Sequence, residues 1–356
     1  MKRIMTILII VLAICGLLGG INYRLNAQTN AEGSKVLNIY NWGDYIDPAL
    51  ITKFEHQTGY HVVYETFDSN EAMLTKIKQG GTSYDLTVPS DYTVQRMRRA
   101  KLLEKIDKSK LPALKNIDSR FMNLSFDPNN DYSVPYFWGT LGIVYNDQYV
   151  NANQVQHWRQ LWNPRFKNKI MLTDSARDML GVALITQGKS VNTTNAADLQ
   201  AANEQLIKLM PNTKAVVADE IKMYMEQNEA AIAVTYSGEA SEMMANNSHL
   251  HYVVPSEGSN IWFDNLVIPK TAKHKAAAYA FLNFMLQPKN AAQNAEYIGY
   301  STPNKAAMKY LPKKVADDPQ FYPSEKTVAH LQVYRDLPLK VIGKYNDLFL
   351  QFKMTK

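Results

Sequence analysis

The chain has 356 residues, 46% hydrophobic and 20% charged, which is enough for about two domains with filled cores. This composition excludes a disordered or low-complexity chain. The net charge of +6 does not mark a nucleic-acid binder: Lys2, Arg3 and Arg24 lie in or beside an amino-terminal apolar segment, and the remaining 36 basic residues exceed the 33 acidic ones by only three and are scattered.

The amino terminus has the layout of an export signal. Lys2 and Arg3 precede an uncharged apolar run over 4–21, and a polar stretch with Asn26, Gln28 and Asn30 follows. The run is long for a signal core and approaches the length that spans a bilayer. Residues 1–31 therefore fit both a cleaved signal peptide, cut after Ala27 or Ala31, and a retained membrane anchor. The single cysteine, Cys15, lies inside this run behind Ile14, where a lipoprotein signal places a small residue. An exported domain without it holds no cysteine, which excludes disulfide scaffolds, cysteine nucleophiles and thiolate metal sites together. The expected location is the periplasmic space or the outer face of the cytoplasmic membrane.

Beyond this segment strands and helices alternate. Residues 36–40 read as a strand, then Asp47-Pro48 opens a helix over 49–58 that Gly59 stops. A strand over 61–67, a helix over 71–79, a strand over 85–88 and a helix over 92–100 follow. After an irregular stretch from Asp127 to Pro135, strands are expected over 141–145 and 169–172, then helices over 176–187 and 197–209. Strands over 231–234, 252–254 and 266–268, a helix over 240–245, an alanine-rich helix over 273–286 and an amphipathic closing helix complete the pattern. There is no repeat and no flexible linker, so the pattern predicts two α/β units joined by short crossings. In such units ligands lie at the carboxyl ends of strands.

The unusual residues fall in the segments expected to follow strands. They are Asn41-Trp42-Gly43-Asp44-Tyr45, Pro89-Ser90-Asp91-Tyr92, Thr173-Asp174-Ser175-Ala176-Arg177-Asp178, Thr235-Tyr236-Ser237-Gly238 and Ile261-Trp262-Phe263-Asp264. An alkyl ammonium leaving water needs carboxylates to balance its charge and aromatic faces to cover its methylenes. Each residue also has a plainer reading: a tryptophan after a strand packs, Asp44 and Asp91 serve turns or caps, and Ser175 with Asp178 has the spacing of a capping box. Local spacing leaves both readings open.

At these segments the sequence resembles the polyamine-binding proteins of ABC importers, the spermidine/putrescine-binding type, from about Val36 to the last helix. The likeness is carried by Tyr40-Asn41-Trp42 with Asp44-Tyr45, by Tyr84-Asp85-Leu86 with Val88-Pro89-Ser90, and by the run from Phe126 through Ser133. Leu172-Thr173-Asp174, Trp262 with Asp264, and Ile298-Gly299-Tyr300 with Thr302-Pro303-Asn304 extend it. The resemblance implies an α/β, two-lobed periplasmic-binding-protein fold of type II with the ligand cleft between lobes that close by a hinge. It implies lobe one at 34–139 plus 264–308 and lobe two at 140–263 plus 309–356. Polyamine contacts are implied at Trp42, Asp44, Tyr45, Ser90, Tyr92, Ser175, Asp178, Tyr236, Trp262 and Asp264. The implied partners are spermidine or putrescine and the permease and ATPase of an importer, with membrane association where the amino-terminal segment is retained. No cofactor, catalytic residue, metal or nucleic acid is expected.

Four positions depart from the family pattern. Gly43 stands for a threonine, Ser175 for an aspartate and Tyr236 for a tryptophan, while the family glutamine aligns with Tyr334 and Gln332 lies two residues away. Asp174 is the candidate replacement for the acid missing at Ser175; otherwise the cleft shifts from the three-charged toward the two-charged polyamine. Other classes fit less well. Nucleophile-elbow, phosphate-loop, dinucleotide and zinc-protease motifs are absent. His249 and His251 suit an exposed strand better than a metal. A sugar does not require these carboxylates, and an amino acid requires an arginine, for which Arg177 is the nearest candidate.

Overall fold

The computed structural model describes residues 35–218 and 220–355. The export segment, with Cys15 and both cleavage positions, lies outside the described residues. In chain order the strands are β1 (Val36–Trp42), β2 (His61–Phe67), β3 (Leu86–Thr87), β4 (Ser133–Asn146), β5 (Ile170–Thr173), β6 (Thr213–Val217), β7 (Ile232–Tyr236), β8 (Leu250–Val253) and β9 (Ile261–Val267). The longer helices are α1 (Pro48–Thr58), α2 (Asn70–Gln79), α3 (Asp91–Arg99), α4 (Ala176–Thr186), α5 (Ala196–Ile207), α6 (Glu220–Glu226), α7 (Ser237–Asn246), α8 (Lys275–Met285), α9 (Pro288–Ile298) and α10 (Leu339–Met354).

Local signals account for the first units. The Asp47 carboxylate accepts from the Ala49 N–H, Pro48 opens α1 and Gly59 closes it. Ser69 caps α2 through the Ala72 N–H. Crossovers of this kind return the chain parallel, and β1 pairs parallel with both β2 and β3.

β4 joins two sheets. Its first half, from Ser133 to Thr140, pairs antiparallel with β9, which pairs with β3 and so reaches the amino-terminal sheet. Its second half pairs with β7 and β8, and β7 leads through β5 to β6. The strand expected at 141–145 is thus fourteen residues long. Pro135, Gly139 and Gly142 carry breaker signals that conceal it. Pro135 sits where the register against β9 shifts, at an irregularity that tolerates a missing N–H. Two expected loops are also corrected. Trp262 and Asp264 lie within β9 rather than after a strand, because β4 offers it a full antiparallel partner. Tyr236 ends β7 and Ser237 begins α7, with no loop between them.

Each sheet has its own core. One buried cluster collects residues of 37–138 and 261–311, including Phe54, Phe137 and Phe281. A second collects residues of 141–234 and 334–352, and a third, with Ile221, Met225 and Met243, covers the opposite face of the second sheet. Ile170, Leu172, Ile232 and Val234 enter the second cluster while Met171 and Ala233 enter the third. That alternation is the period-two pattern of strands covered on both faces. The closing helix α10 buries Tyr345, Leu348, Phe349 and Phe352, one stripe at helical spacing. Among the described residues no helix is long and apolar enough to cross a membrane.

The glycines of β4 are packing positions. A Cβ on Gly142 would stand 2.4 Å from the ring of Tyr252, whose hydroxyl donates to the Thr140 carbonyl. A Cβ on Gly43 would meet nothing within 4 Å. Gly142→Ala should therefore lower the unfolding free energy by ~1–3 kcal/mol and Gly43→Ala by no more than about 0.5 kcal/mol. Denaturant titration of the two variants checks the contrast, and equal midpoints would contradict it.

Candidate ligand-binding cleft

Trp262 and Asp264 are two residues apart in β9 and so share one face. Phe263 turns the other way, into the first core beside Phe121 and Phe126. Asp264 is only 6% exposed. Tyr45, beyond the end of β1, donates its hydroxyl to Asp264 Oδ2 at 2.6 Å. Ser90, which opens α3, donates to Oδ1, also at 2.6 Å. Burial raises the carboxyl pKa to about 6, and these two bonds hold it from rising further. Among the described residues no cationic side chain pairs with it.

Ser90 is itself held in place. Asn70, the first residue of α2, donates from Nδ2 to Ser90 Oγ at 3.0 Å and to the Tyr92 hydroxyl at 3.1 Å, and accepts from the Ser90 N–H. Asn70 was not among the residues singled out from the sequence; its position just after the carboxyl end of β2 was the available signal. Asp91 is fully buried, accepting from the Tyr92 N–H at 2.6 Å and more weakly from the Phe263 N–H. Burial pushes its carboxyl well up, and the charge of Asp264 adds to that. Its role is to anchor α3 on β9, the plainer of its two readings.

The second sheet supplies another buried carboxylate. Asp178, in the first turn of α4, is 4% exposed. Tyr236 donates to its Oδ2 at 2.6 Å and Tyr334 to its Oδ1 at 2.7 Å. Ser175 caps the same helix by accepting from the Asp178 N–H at 3.4 Å, so cap and buried carboxylate coexist. Asp174, the candidate replacement for the missing acid, is ion-paired at 2.8 Å with Lys353 of α10. The Gln332 side chain accepts from Ser190 Oγ and the Val191 N–H, which leaves Tyr334 as the group that reaches Asp178.

A file of aromatic rings runs between the two carboxylates. Tyr236 meets Trp262 edge-on at 6.4 Å, Trp262 meets Tyr300 at 5.0 Å, and Tyr300 meets Tyr45 at 5.6 Å. Gly139, opposite Trp262 in the β4–β9 register, makes room for the indole: a Cβ there would stand 2.4 Å from it. Tyr92 packs its ring against the second core. Trp42 donates its indole N–H to the Val88 carbonyl at 2.8 Å and leans on Phe67. Asp44 is exposed with φ 45°, a left-handed backbone that aspartate tolerates. Neither Trp42 nor Asp44 hydrogen-bonds to a buried carboxylate.

Two side candidates make contacts within the protein. The Arg177 guanidinium lies over Tyr334 at 4.4 Å and Tyr345 at 5.2 Å and donates to Asn192, so it is engaged within the protein rather than presented to an acid. His249 and His251 both bond to Asp147, at 2.9 Å each. Among the described residues no three acidic, histidine or cysteine side chains converge on a metal position.

Two α/β bodies, each with a buried carboxylate and joined by one shared strand, are the build of a two-lobed periplasmic-binding-protein fold of type II. The chain belongs to the bacterial extracellular solute-binding protein family, whose sequence profile matches residues 49–323. It is 42% identical over 305 residues to the spermidine/putrescine-binding periplasmic protein of Salmonella typhimurium, covering 85% of this chain and 87% of that one. With the protein of the same name from Escherichia coli it is 41% identical over 313 residues, covering 87% and 90%. Its structure is similar to the spermidine/putrescine ABC transporter substrate-binding protein PotD from Streptococcus pneumoniae. There the TM-score is 0.83 at 56% identity, over 90% of this chain and 99% of that one.

The raised carboxyl of Asp264 has a consequence for stability. A folded-state pKa above the ordinary aspartate value means that the fold prefers the proton. The stabilising contribution is complete below about pH 4 and is lost as pH rises through about 6. Asp264→Asn removes the ionisation, so the melting temperature of the ligand-free variant should rise relative to the wild-type protein between about pH 4.5 and about pH 7.5. Paired thermal melts at both pH values check this; an unchanged difference would count against a raised carboxyl.

Proposed function

We propose that the cleft binds a polyamine, spermidine or putrescine, and that the protein delivers it to an ABC importer. The observation that carries this reading is that Asp178 and Asp264, both buried, are satisfied among the described residues by hydroxyl donors alone and are linked by aromatic rings. A buried anion with no counter-charge is costly, and an alkyl ammonium supplies that charge through strong hydrogen bonds. The rings cover the methylenes and attract the cation by ~0.5–2 kcal/mol each. A neutral sugar would leave both charges unbalanced, and an amino acid would bring a third carboxylate to two others. The names of the relatives from Salmonella typhimurium and Escherichia coli support the same ligand class.

In this reading Tyr45, Ser90 and Asp264 take one ammonium, Asp178 with Tyr236 takes the other, and Trp262 covers the chain between them. Trp42, Asp44 and Tyr92 line the rim, and Ser175 acts through the cap of α4. The lobes are 34–139 plus 264–308 and 140–263 plus 309–356, closing by a hinge; the separate cores support the main division, although Ile261, Phe263 and Leu311 pack in the first core. The protein acts outside the cytoplasmic membrane, free or held by its amino-terminal segment. It hands ligand to the permease and ATPase without chemical change.

Calorimetric titration with spermidine, putrescine and a neutral sugar tests the reading. Asp264→Asn should weaken polyamine binding by ~1–3 kcal/mol, and the sugar should not bind. Loss of an acid at Ser175, with Asp174 engaged by Lys353, should leave putrescine bound within about tenfold of spermidine. Ligand favours the ionised carboxylate, so affinity should fall as pH drops through about 6, with protons released on binding near that pH. Binding that is tight, pH-independent and unaffected by Asp264→Asn would remove Asp264 from the site.

A further inference from the structure

A pocket of about 340 Å³ opens on the surface of the first lobe, lined by Gln95, Arg98, Arg99, Ser125, Pro128 and Tyr132. Arg98 is built into it. Its guanidinium donates to the Phe126 carbonyl, lies 3.5 Å from Asp127 and sits 5.5 Å over the Tyr132 ring. Asp127 is held in turn by the Tyr132 N–H and the Ser133 hydroxyl, each at 2.9 Å. Arg99 forms the open wall, with its side chain 63% exposed.

The same wall touches the other lobe. Arg99 Nη1 donates to Asp336 Oδ2 at 3.1 Å, Arg96 Nε donates to Oδ1 at 2.9 Å, and the Asp336 N–H donates to Gln95 Oε1 at 2.9 Å. Asp336 lies between Tyr334 and Leu337, which are buried in the second core, whereas Val94 and Met97 of α3 are buried in the first. Asp336 thus ties the lobes together through residues that also line the pocket. Around it three guanidinium groups, Arg96, Arg98 and Arg99, face two carboxylates, Asp127 and Asp336, which leaves one positive charge unbalanced.

We propose that this pocket is the docking point for a carboxylate side chain of the importer's permease, and that the incoming carboxylate draws Arg99 away from Asp336. The proposal rests on the importer reading above. An exposed arginine exchanges one carboxylate for another at little cost, because surface ion pairs are weak. The inter-lobe tie then falls from two guanidinium groups to one, and the bound ligand leaves faster at the membrane than in solution. A pocket walled by arginines with excess positive charge fits this partner chemistry.

Ser125→Glu places a carboxylate in the pocket from the protein's own chain. In stopped-flow measurements it should speed polyamine dissociation by about fivefold without any importer. Asp336→Asn, which removes both ion pairs, should speed it at least as much, and the double variant should be no faster than Asp336→Asn alone. In vesicles carrying the permease–ATPase complex, Ser125→Glu and Arg98→Ala should each raise the protein concentration that half-stimulates ATP hydrolysis by at least about fivefold. Melting curves establish that both variants are folded, and Ser125, being exposed, keeps the test open if Arg98→Ala is not. Wild-type dissociation and stimulation in Ser125→Glu would overturn the proposal. A wild-type protein that binds polyamine but does not stimulate the complex would overturn it too, whereas one that binds no polyamine would overturn the reading beneath it.

Discussion

The hydrogen bonds from Tyr45 and Ser90 to Asp264 join three pieces of chain that are distant in sequence: the turn after β1, the start of α3 and the middle of β9. Both are 2.6 Å, short bonds of the kind a charged acceptor draws. They stabilise a carboxylate that burial alone would protonate, yet they bring no positive charge with them. In the proposed reading the compensating charge is the ligand's ammonium. Asn70 and Asp91 serve this arrangement at one remove, the first by orienting Ser90 and Tyr92, the second by fastening α3 to the Phe263 N–H. A site so supported is preorganised for a cation and costs the empty fold stability near neutral pH.

α3 couples that site to the rest of the molecule. Its first residues meet Asp264 and the second core through Ser90 and Tyr92, and its last turn holds Asp336 through Arg96 and Arg99. A movement of one lobe against the other must therefore disturb both ends of one nine-residue helix. β4 does the complementary work: it carries the chain between sheets as one continuous strand, so this crossing is ordered rather than loose. The aromatic file from Tyr236 to Tyr45 lies along this crossing, where a ligand would touch residues of both sheets.

Much of this was legible beforehand. Asp47, Pro48 and Gly59 act within one helix, and the α10 stripe repeats within sixteen residues, so their signals are local and were read as they stand. Tyr45, Ser90, Tyr92, Asp178, Tyr236, Trp262 and Asp264 were singled out by residue type and by resemblance, and all meet in the network of buried carboxylates and rings. What escaped was pairing. The length of β4 and the strand character of 261–264 depend on each being the other's partner, against proline and glycine signals that point to a break. Tyr334 reaches Asp178 from 156 residues away, and Asp174 is captured by Lys353 from 179 away.

The sequence by itself determined the alternation of strands and helices and the chemistry on offer, because each follows from residue type and short-range spacing; the ligand class was implied by its resemblance to a family. Only the tertiary structure decided that Asp264 is buried among hydroxyls, that Asp178 is shared by two tyrosines and that Arg177 is engaged between aromatic rings. Those outcomes turn on desolvation and on contacts between residues far apart in the chain, as with Tyr45 and Asp264 at a separation of 219. A carboxylate's meaning, cap or ligand, is set by what surrounds it, and in this protein the surroundings come from the other end of the chain.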